Sequence, residues 1–149
     1  MVGEVVDLYE PVAAEKNIAI TADLGECKIA GDRDLIFQAV ANVLDNAIKY
    51  TPFAGKIEIA LQQNYDAEND ENLVTLTIRD TGCGIEEKNI PKVFRRFYRE
   101  DSSRGKEPGN GLGLSLVAAV VKVHRATITL QNTWPGLQVT LNFPVSVAG

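Results

Sequence analysis

Apolar positions along the chain follow two periods. From Met1 to Asn17 they recur at helical spacing (Val5, Val6, Leu8, Tyr9, Val12, Ala13). Pro11 lies inside this run and removes a backbone donor, so the pattern predicts a kinked helix or two short helical pieces. Ile18 to Ala22 alternates and predicts a strand, with Cys27 to Ala30 a second, shorter one. Gly31-Asp32 opens the clearest helix, capped by Asp32 or Asp34. In it Leu35, Ile36, Ala39, Val40, Val43, Leu44, Ala47 and Ile48 form a broad stripe that belongs on a core, and Thr51-Pro52 ends it.

The second half switches to period two. Lys56 to Gln63 and Leu73 to Arg79 alternate as strands, and the polar stretch Asn64 to Asn72 between them reads as a hairpin loop. Asp80 to Gly84 is a glycine-bearing turn, and Ile90 to Phe97 a short helix with Ile90, Val93, Phe94 and Phe97 on one side. Arg99 to Asn110 holds no apolar residue, so it has nothing to bury against its ordering entropy and is expected to be a mobile loop. Gly111 to His124 resumes helical spacing. Ala126 to Gln131 and Leu137 to Phe143 alternate, joined by a turn holding Pro135-Gly136. No repeat or linker divides the chain, so residues 1–149 are expected to form a single domain. The fold class is α+β: a two-layer α/β sandwich, a mixed, mainly antiparallel sheet with helices on one face.

Composition narrows the chemistry. The 149 residues carry 15 basic and 20 acidic side chains, a formal charge of −5. An acidic chain without a basic run is a poor partner for nucleic acid or an anionic membrane, and neither contact is expected. No apolar run reaches the roughly 18 residues of a membrane span. One histidine and two well-separated cysteines do not make a zinc site of usual spacing, and the cysteines read as reduced residues of a cytosolic domain.

Four polar clusters interrupt the core pattern. Asn42, Asn46 and Lys49 share a face of the long helix beside Tyr50; two amides and an ammonium there can cradle a cation and phosphates. Asp80-Thr81-Gly82-Cys83-Gly84-Ile85 follows a strand directly, so a carboxylate at the strand end can accept from an exocyclic amine while the glycines let backbone approach a flat ligand. Phe94-Arg95-Arg96-Phe97-Tyr98-Arg99 pairs two apolar anchors with arginines. Gly109-Asn110-Gly111-Leu112-Gly113-Leu114 ends in a helix start, whose exposed N–H groups make an anion site. Singly, each has an ordinary counterpart: a solvated helix face, a plain turn, core anchors, a hinge.

Taken in order, N-x-x-x-N-A-x-K-Y-T, D-x-G-x-G-I, F-x-x-F-Y-R and G-N-G-L-G-L-S resemble the N, G1, F and G2 boxes of the catalytic and ATP-binding domain of bacterial sensor histidine kinases, in the Bergerat-fold superfamily of gyrase, the heat-shock-90 chaperones and the MutL proteins. The resemblance covers Gly31 to Pro144. It implies a site between helices and sheet under a mobile ATP lid. Asn46 is implied as the magnesium ligand, with Asn42 one turn earlier; Lys49 as a phosphate contact; Tyr50 near sugar and base; and Asp80 as the adenine reader. Gly82, Gly84 and Ile85 would shape the base pocket, and Arg99 would begin the lid. Gly109, Gly111, Leu112, Gly113 and Leu114 would hold the phosphates and close the apolar side, and Thr140 would join a water network near Asp80. Asn42, Asn46, Lys49 and Arg99 are the implied catalytic set, with ATP and Mg2+ as cofactors.

ATP-hydrolysing relatives place a glutamate four residues before the metal asparagine. This chain has Asn42 there, and an amide is no general base, so slow hydrolysis is expected and the γ-phosphoryl waits for another nucleophile. Asp45 lies three residues after that position and one before Asn46. His124 precedes Arg125-Ala126 at a helix end, where the family often shows His-Gly-Gly, and reads as a C-cap, not a phosphoacceptor. The resemblance thus implies a protein histidine kinase domain excised from a larger inner-membrane sensor. It would be cytoplasmic and monomeric alone, would phosphorylate a histidine on a separate dimerisation domain, and would act on a response regulator only indirectly. The competing readings are an ATP-hydrolysing clamp and a non-catalytic nucleotide-binding module.

Overall fold

The period-two segments form one sheet and the helical segments lie across one of its faces. The computed structural model describes residues 1–29, 31–92 and 113–145. The strands are β1 (Ala19–Leu24), β2 (Lys56–Asp66), β3 (Glu71–Asp80), β4 (Thr127–Asn132) and β5 (Leu137–Pro144), in spatial order β1-β2-β3-β5-β4. β1 and β2 are parallel and every other pairing is antiparallel. The helices are α1 (Val2–Glu15), α2 (Arg33–Tyr50) and α3 (Gly113–Val123). This is the α+β two-layer arrangement that the alternation predicted.

Alternation along each strand sorts residues between the two faces. Ile59 pairs with Ile78, and Ile78 with Val139; Leu61 pairs with Leu76, and Leu76 with Leu141. All are buried beneath the helices, as is Phe143 opposite Val74. The intervening pairs, Thr77 with Thr140 and Thr75 with Asn142, occupy the other face and are polar and only half-buried. From above, Ile36, Val40, Val43, Leu44 and Ile48 of α2 and Val117, Val120 and Val121 of α3 close the core.

Helix ends are closed locally. Asp32 is the N-cap of α2, its Oδ1 accepting from Asp34 N at 2.9 Å and Leu35 N at 3.1 Å. At the other end Thr51 Oγ1 donates to Ala47 O at 2.6 Å, and the Lys16 ammonium donates to Ile48 O and Lys49 O. A cation there satisfies carbonyls that the helix leaves open and opposes the negative end of its dipole. α1 and α3 both end in a left-handed residue, Asn17 at φ 55° and Arg125 at φ 54°. In α3, Ala126 N reaches Val121 O and Arg125 N reaches Lys122 O, the paired bonds of a glycine-type helix end made without glycine.

Four expectations change. Of the two alternatives for the first segment, two short pieces are ruled out: α1 runs as one helix through Pro11, because Pro11 and Asp7, whose carbonyl loses its donor, both lie on the exposed side where water can replace the bond. Cys27 to Ile29 form no strand: the parallel ladder stops where Gly25 N donates to Leu61 O at 2.8 Å, and Cys27 and Ile29 pack on the core from a loop (Ala30 lies outside the described residues). The β2–β3 hairpin runs further than its apolar residues do, to Tyr65 opposite Asn72 and Asp66 opposite Glu71. Backbone pairing does not require apolar side chains, and Asp66 organises the turn by accepting from Glu68 N and Asn69 Nδ2. Where the expected helix starts, at Ile90 to Lys92, the chain forms the end of a 3-10 turn, Glu87–Lys92; Val93, Phe94 and Phe97 lie outside the described residues.

A left-handed non-glycine residue carries a steric cost of roughly 1–2 kcal/mol that glycine avoids. Arg125→Gly is therefore expected to raise the melting temperature by about 2–4 °C, measured by circular dichroism. A decrease would mean that the Arg125 side chain contributes more than its backbone strain costs.

Candidate nucleotide site

The end of β3 delivers Asp80 to the helix-facing side of the sheet, where it is 6% exposed. Its Oδ1 accepts from Gly82 N at 2.8 Å and from Leu137 N at 3.2 Å. No described residue donates to Oδ2. Burial pushes the Asp80 carboxyl above the ordinary carboxylate range, and the two backbone donors oppose that shift without cancelling it. One oxygen is thus fixed by the fold and the other is left to accept from something else.

Glycines set the approach of the neighbouring loops. A Cβ on Gly82 would lie 2.3 Å from Tyr50 O, so the chain after β3 crosses directly over the end of α2. A Cβ on Gly136, at φ 99°, would lie 1.8 Å from Asp80 O, which packs the β4–β5 turn against the same residue. Thr81 completes the seam, its N donating to Lys56 O and its Oγ1 accepting from Lys56 N. Ile85 is half-buried against the core. Its N donates to Asn132 Oδ1 at 2.8 Å, and Asn132 Nδ2 donates back to Ile85 O at 2.6 Å.

On α2, Asn42 and Asn46 are half-buried and no described residue takes either amide, while Lys49 Nζ lies 2.9 Å from Asp45 Oδ2. Asp45 therefore pairs with the lysine one turn on. Tyr9 of α1 faces the same pair: burial raises its hydroxyl pKa first and Asp45 raises it further, against Lys49. Leu114, at the start of α3, is half-buried against the core. At the opposite end of α3, His124 Nε2 accepts from Asp32 N at 3.0 Å and Nδ1 lies 2.8 Å from Val120 O. Because Asp32 N can only donate and Val120 O can only accept, the ring is the neutral tautomer protonated at Nδ1. Both nitrogens are engaged, as the C-cap reading requires. The same junction ties the end of α3 to the start of α2. The two helices pack together, so the α3 start, about 16 Å away, is carried toward the α2 half that bears Asn42, Asn46 and Lys49.

The structure thus brings Tyr50, Asp80, Gly82, Gly84 and Ile85 to one corner, with Asn42, Asn46 and Lys49 along the adjoining helix. Thr140 is a correction. It pairs with Thr77 on the polar face of the sheet, opposite the face Asp80 occupies, and accepts from Gln138 Nε2. The part of β5 that reaches Asp80 is the backbone of Leu137. Arg99, Gly109, Gly111 and Leu112 lie outside the described residues, and of Gly113 only its place at the start of α3 is described. Sequence reasoning missed Asn132, although it is a polar residue ending an alternating strand before a turn, the same signal that singled out Asp80.

An α/β sandwich with a buried carboxylate at a strand end, glycine turns packed against it and an amide-bearing helix alongside defines a nucleotide-binding class of domain. The comparisons with known proteins agree. Residues 31–147 match the family model described as histidine kinase-, DNA gyrase B- and HSP90-like ATPase. The sensor histidine kinase CusS of Escherichia coli is 31% identical over 144 residues, 96% of this chain and 29% of that protein. Sensor histidine kinase Hik2 of Synechocystis is 37% identical over 124 residues, 82% of this chain and 29% of its own. Among solved structures, the mycobacterial sensor histidine kinase MprB superposes with a TM-score of 0.81 at 31% identity, covering 96% of this chain and 95% of that one. The catalytic domain of histidine kinase ThkA gives 0.82 at 26% identity, covering 98% and 92%. The chain belongs to this ATP-binding family, as a histidine kinase catalytic domain. It spans less than a third of the curated relatives it matches. Among the described residues no helix is long and apolar enough to cross a membrane, and both cysteines are free thiols.

The Asp80 shift gives a pH-dependent expectation. Its folded pKa is raised, so the fold favours the protonated acid. That contribution is fully present below the unfolded carboxyl value of about 3.9 and is lost as pH rises through the folded value. Asp80→Asn keeps an oxygen for the Gly82 and Leu137 donors and cannot ionise. It is expected to melt higher than the parent at pH 7 without nucleotide, with the difference shrinking toward pH 4. A lower melting temperature at pH 7 would contradict the burial argument.

Proposed function

We propose that the chain binds Mg-ATP and donates the γ-phosphoryl group to a histidine on a separate dimerisation domain, which passes it to a response regulator. The observation that carries this reading is the pairing of a base-reading carboxylate, Asp80, with a helix face that holds amides and a lysine but no free carboxylate at the hydrolytic position. Asp80 Oδ2 accepts from the adenine exocyclic amine while Gly82, Gly84 and Ile85 shape the base pocket and Tyr50 flanks it. Lys49, released from Asp45, meets phosphate charge. The amides at the start of α3, Gly113 and Leu114, meet the phosphates, and Arg99, Gly109, Gly111 and Leu112 are assigned to phosphate contact on the sequence resemblance alone.

Asn42 takes no proton from water, and Asp45, the nearest carboxylate on α2, stands three residues from the hydrolytic position. The nucleophile is therefore a ring nitrogen from outside the chain. A P–N bond forms at the γ-phosphorus as the bond to the β-γ bridging oxygen breaks and ADP leaves. Among the described residues no group of three acidic, histidine or cysteine side chains is placed to hold a metal. Asn46 offers one hard amide oxygen, which fits an ion whose other ligands are phosphate oxygens and water. Magnesium bound there would supply neutralisation of phosphate charge. We read the whole protein as an inner-membrane sensor with this domain on the cytoplasmic side, on its likeness to sensor histidine kinases.

Incubation with ATP and a cognate histidine domain is expected to label that histidine with little free phosphate released. Bound ATP with no label, or rapid hydrolysis by the chain alone, would refute the reading. Asp80→Asn is expected to weaken ATP binding by about 10–100-fold, the scale of a hydrogen bond to a charged group. Asn46→Ala is expected to abolish transfer while adenosine affinity stays within about 3-fold, since its contact is to metal and phosphate. Equal losses of adenosine affinity in the two variants, by calorimetry, would overturn this division of roles.

A further inference from the structure

Asn132 makes two hydrogen bonds to one residue outside its own hairpin. Its Oδ1 accepts from Ile85 N at 2.8 Å and its Nδ2 donates to Ile85 O at 2.6 Å. Inside a sheet a neighbouring strand supplies such a pair. Past Asp80 the chain has left the ladder, and one side-chain amide takes the place of the missing strand. The fit is close, since a Cβ on Gly84, at φ 72°, would lie 2.5 Å from Asn132 Oδ1. The loop is therefore pinned twice: by Gly82 N on Asp80 Oδ1 and by the Ile85 peptide on Asn132. Asn132 itself ends β4, one short turn from Leu137, the other donor to Asp80.

The two pins fix how far the half-buried Ile85 side chain stands from the open oxygen of Asp80. In a base pocket that separation is the distance from the polar reader to the apolar wall. We infer that Asn132 is a positioning residue for base recognition: it touches no nucleotide, and it sets the geometry in which Asp80 and Ile85 together accept adenine and reject a base presenting a carbonyl in place of the amine. This rests on the adenine reading of Asp80 proposed above.

The test uses the 149-residue chain, with ATP, GTP and inorganic tripolyphosphate as calorimetric probes. Asn132→Ala removes both bonds. Asn132→Asp preserves size and the acceptor for Ile85 N, but sets a second acceptor against Ile85 O. Both variants are expected to weaken ATP by about 10-fold, the loss of two ordinary hydrogen bonds, and to narrow the preference for ATP over GTP. Tripolyphosphate affinity should stay unchanged and amide exchange at Ile85 should quicken. A purely structural role would weaken all three probes together, or would leave the near-isosteric Asp variant like the parent; either result overturns the inference. So does faster Ile85 exchange with unchanged ATP affinity and preference. If the parent chain binds tripolyphosphate but shows no preference for ATP over GTP, the adenine reading itself fails, and this inference with it.

Discussion

One carboxylate oxygen ties the sheet to the loops around it. Asp80 Oδ1 holds the N–H of Gly82, which turns the chain over the end of α2, and the N–H of Leu137, which begins β5. The first bond is local to the turn; the second depends on β5 lying beside β3 although β4 comes between them in sequence. If β4 had taken that place, the Leu137 donor would be a strand further away. The buried carboxyl is tolerated because these donors satisfy one oxygen, and its raised pKa records the remaining cost of burial. The second oxygen, which no described residue engages, is the one left open to a ligand.

Charge follows the same local logic. A chain of net charge −5 is assigned a polyanionic ligand, and bulk electrostatics argues against the pairing. The relevant charges are nearer. Lys49 shares a face of α2 with Asn42 and Asn46 and has Asp45 as its present partner, and Lys16 reaches from the end of α1 to cap the last carbonyls of the same helix. Through Tyr9 and Lys16, α1 touches both the lysine pair and the helix end that carries it.

The sequence made the apolar architecture legible because alternation and helical spacing are written in side chains: α2, β2, β3 and β5 lie where their stripes put them. Polar residues stand out against a core pattern, which is how Asp80, Asn42, Asn46 and Lys49 are singled out, and the fold sets them along one corner and the adjoining helix. The sequence misled where backbone does the work. The polar end of the β2–β3 hairpin is a ladder that needs no apolar side chain, the loop at Cys27 has strand-like composition without a partner to pair with, and Pro11 is absorbed on an exposed helix face. Thr140 was misplaced because a threonine in the right strand says nothing about which face it occupies; the Thr77 register decides that. Asn132 passed unnoticed because its partner is a peptide group, and peptide groups leave no mark in a sequence.

The only imidazole in the chain is fully engaged as a clasp between the end of α3 and the start of α2. Its Nε2 lone pair is already committed to a backbone N–H, and its Nδ1 carries the proton it gives to Val120. Attack on phosphorus would require breaking the clasp first. Phosphate found on His124 would therefore report an opened α2–α3 junction.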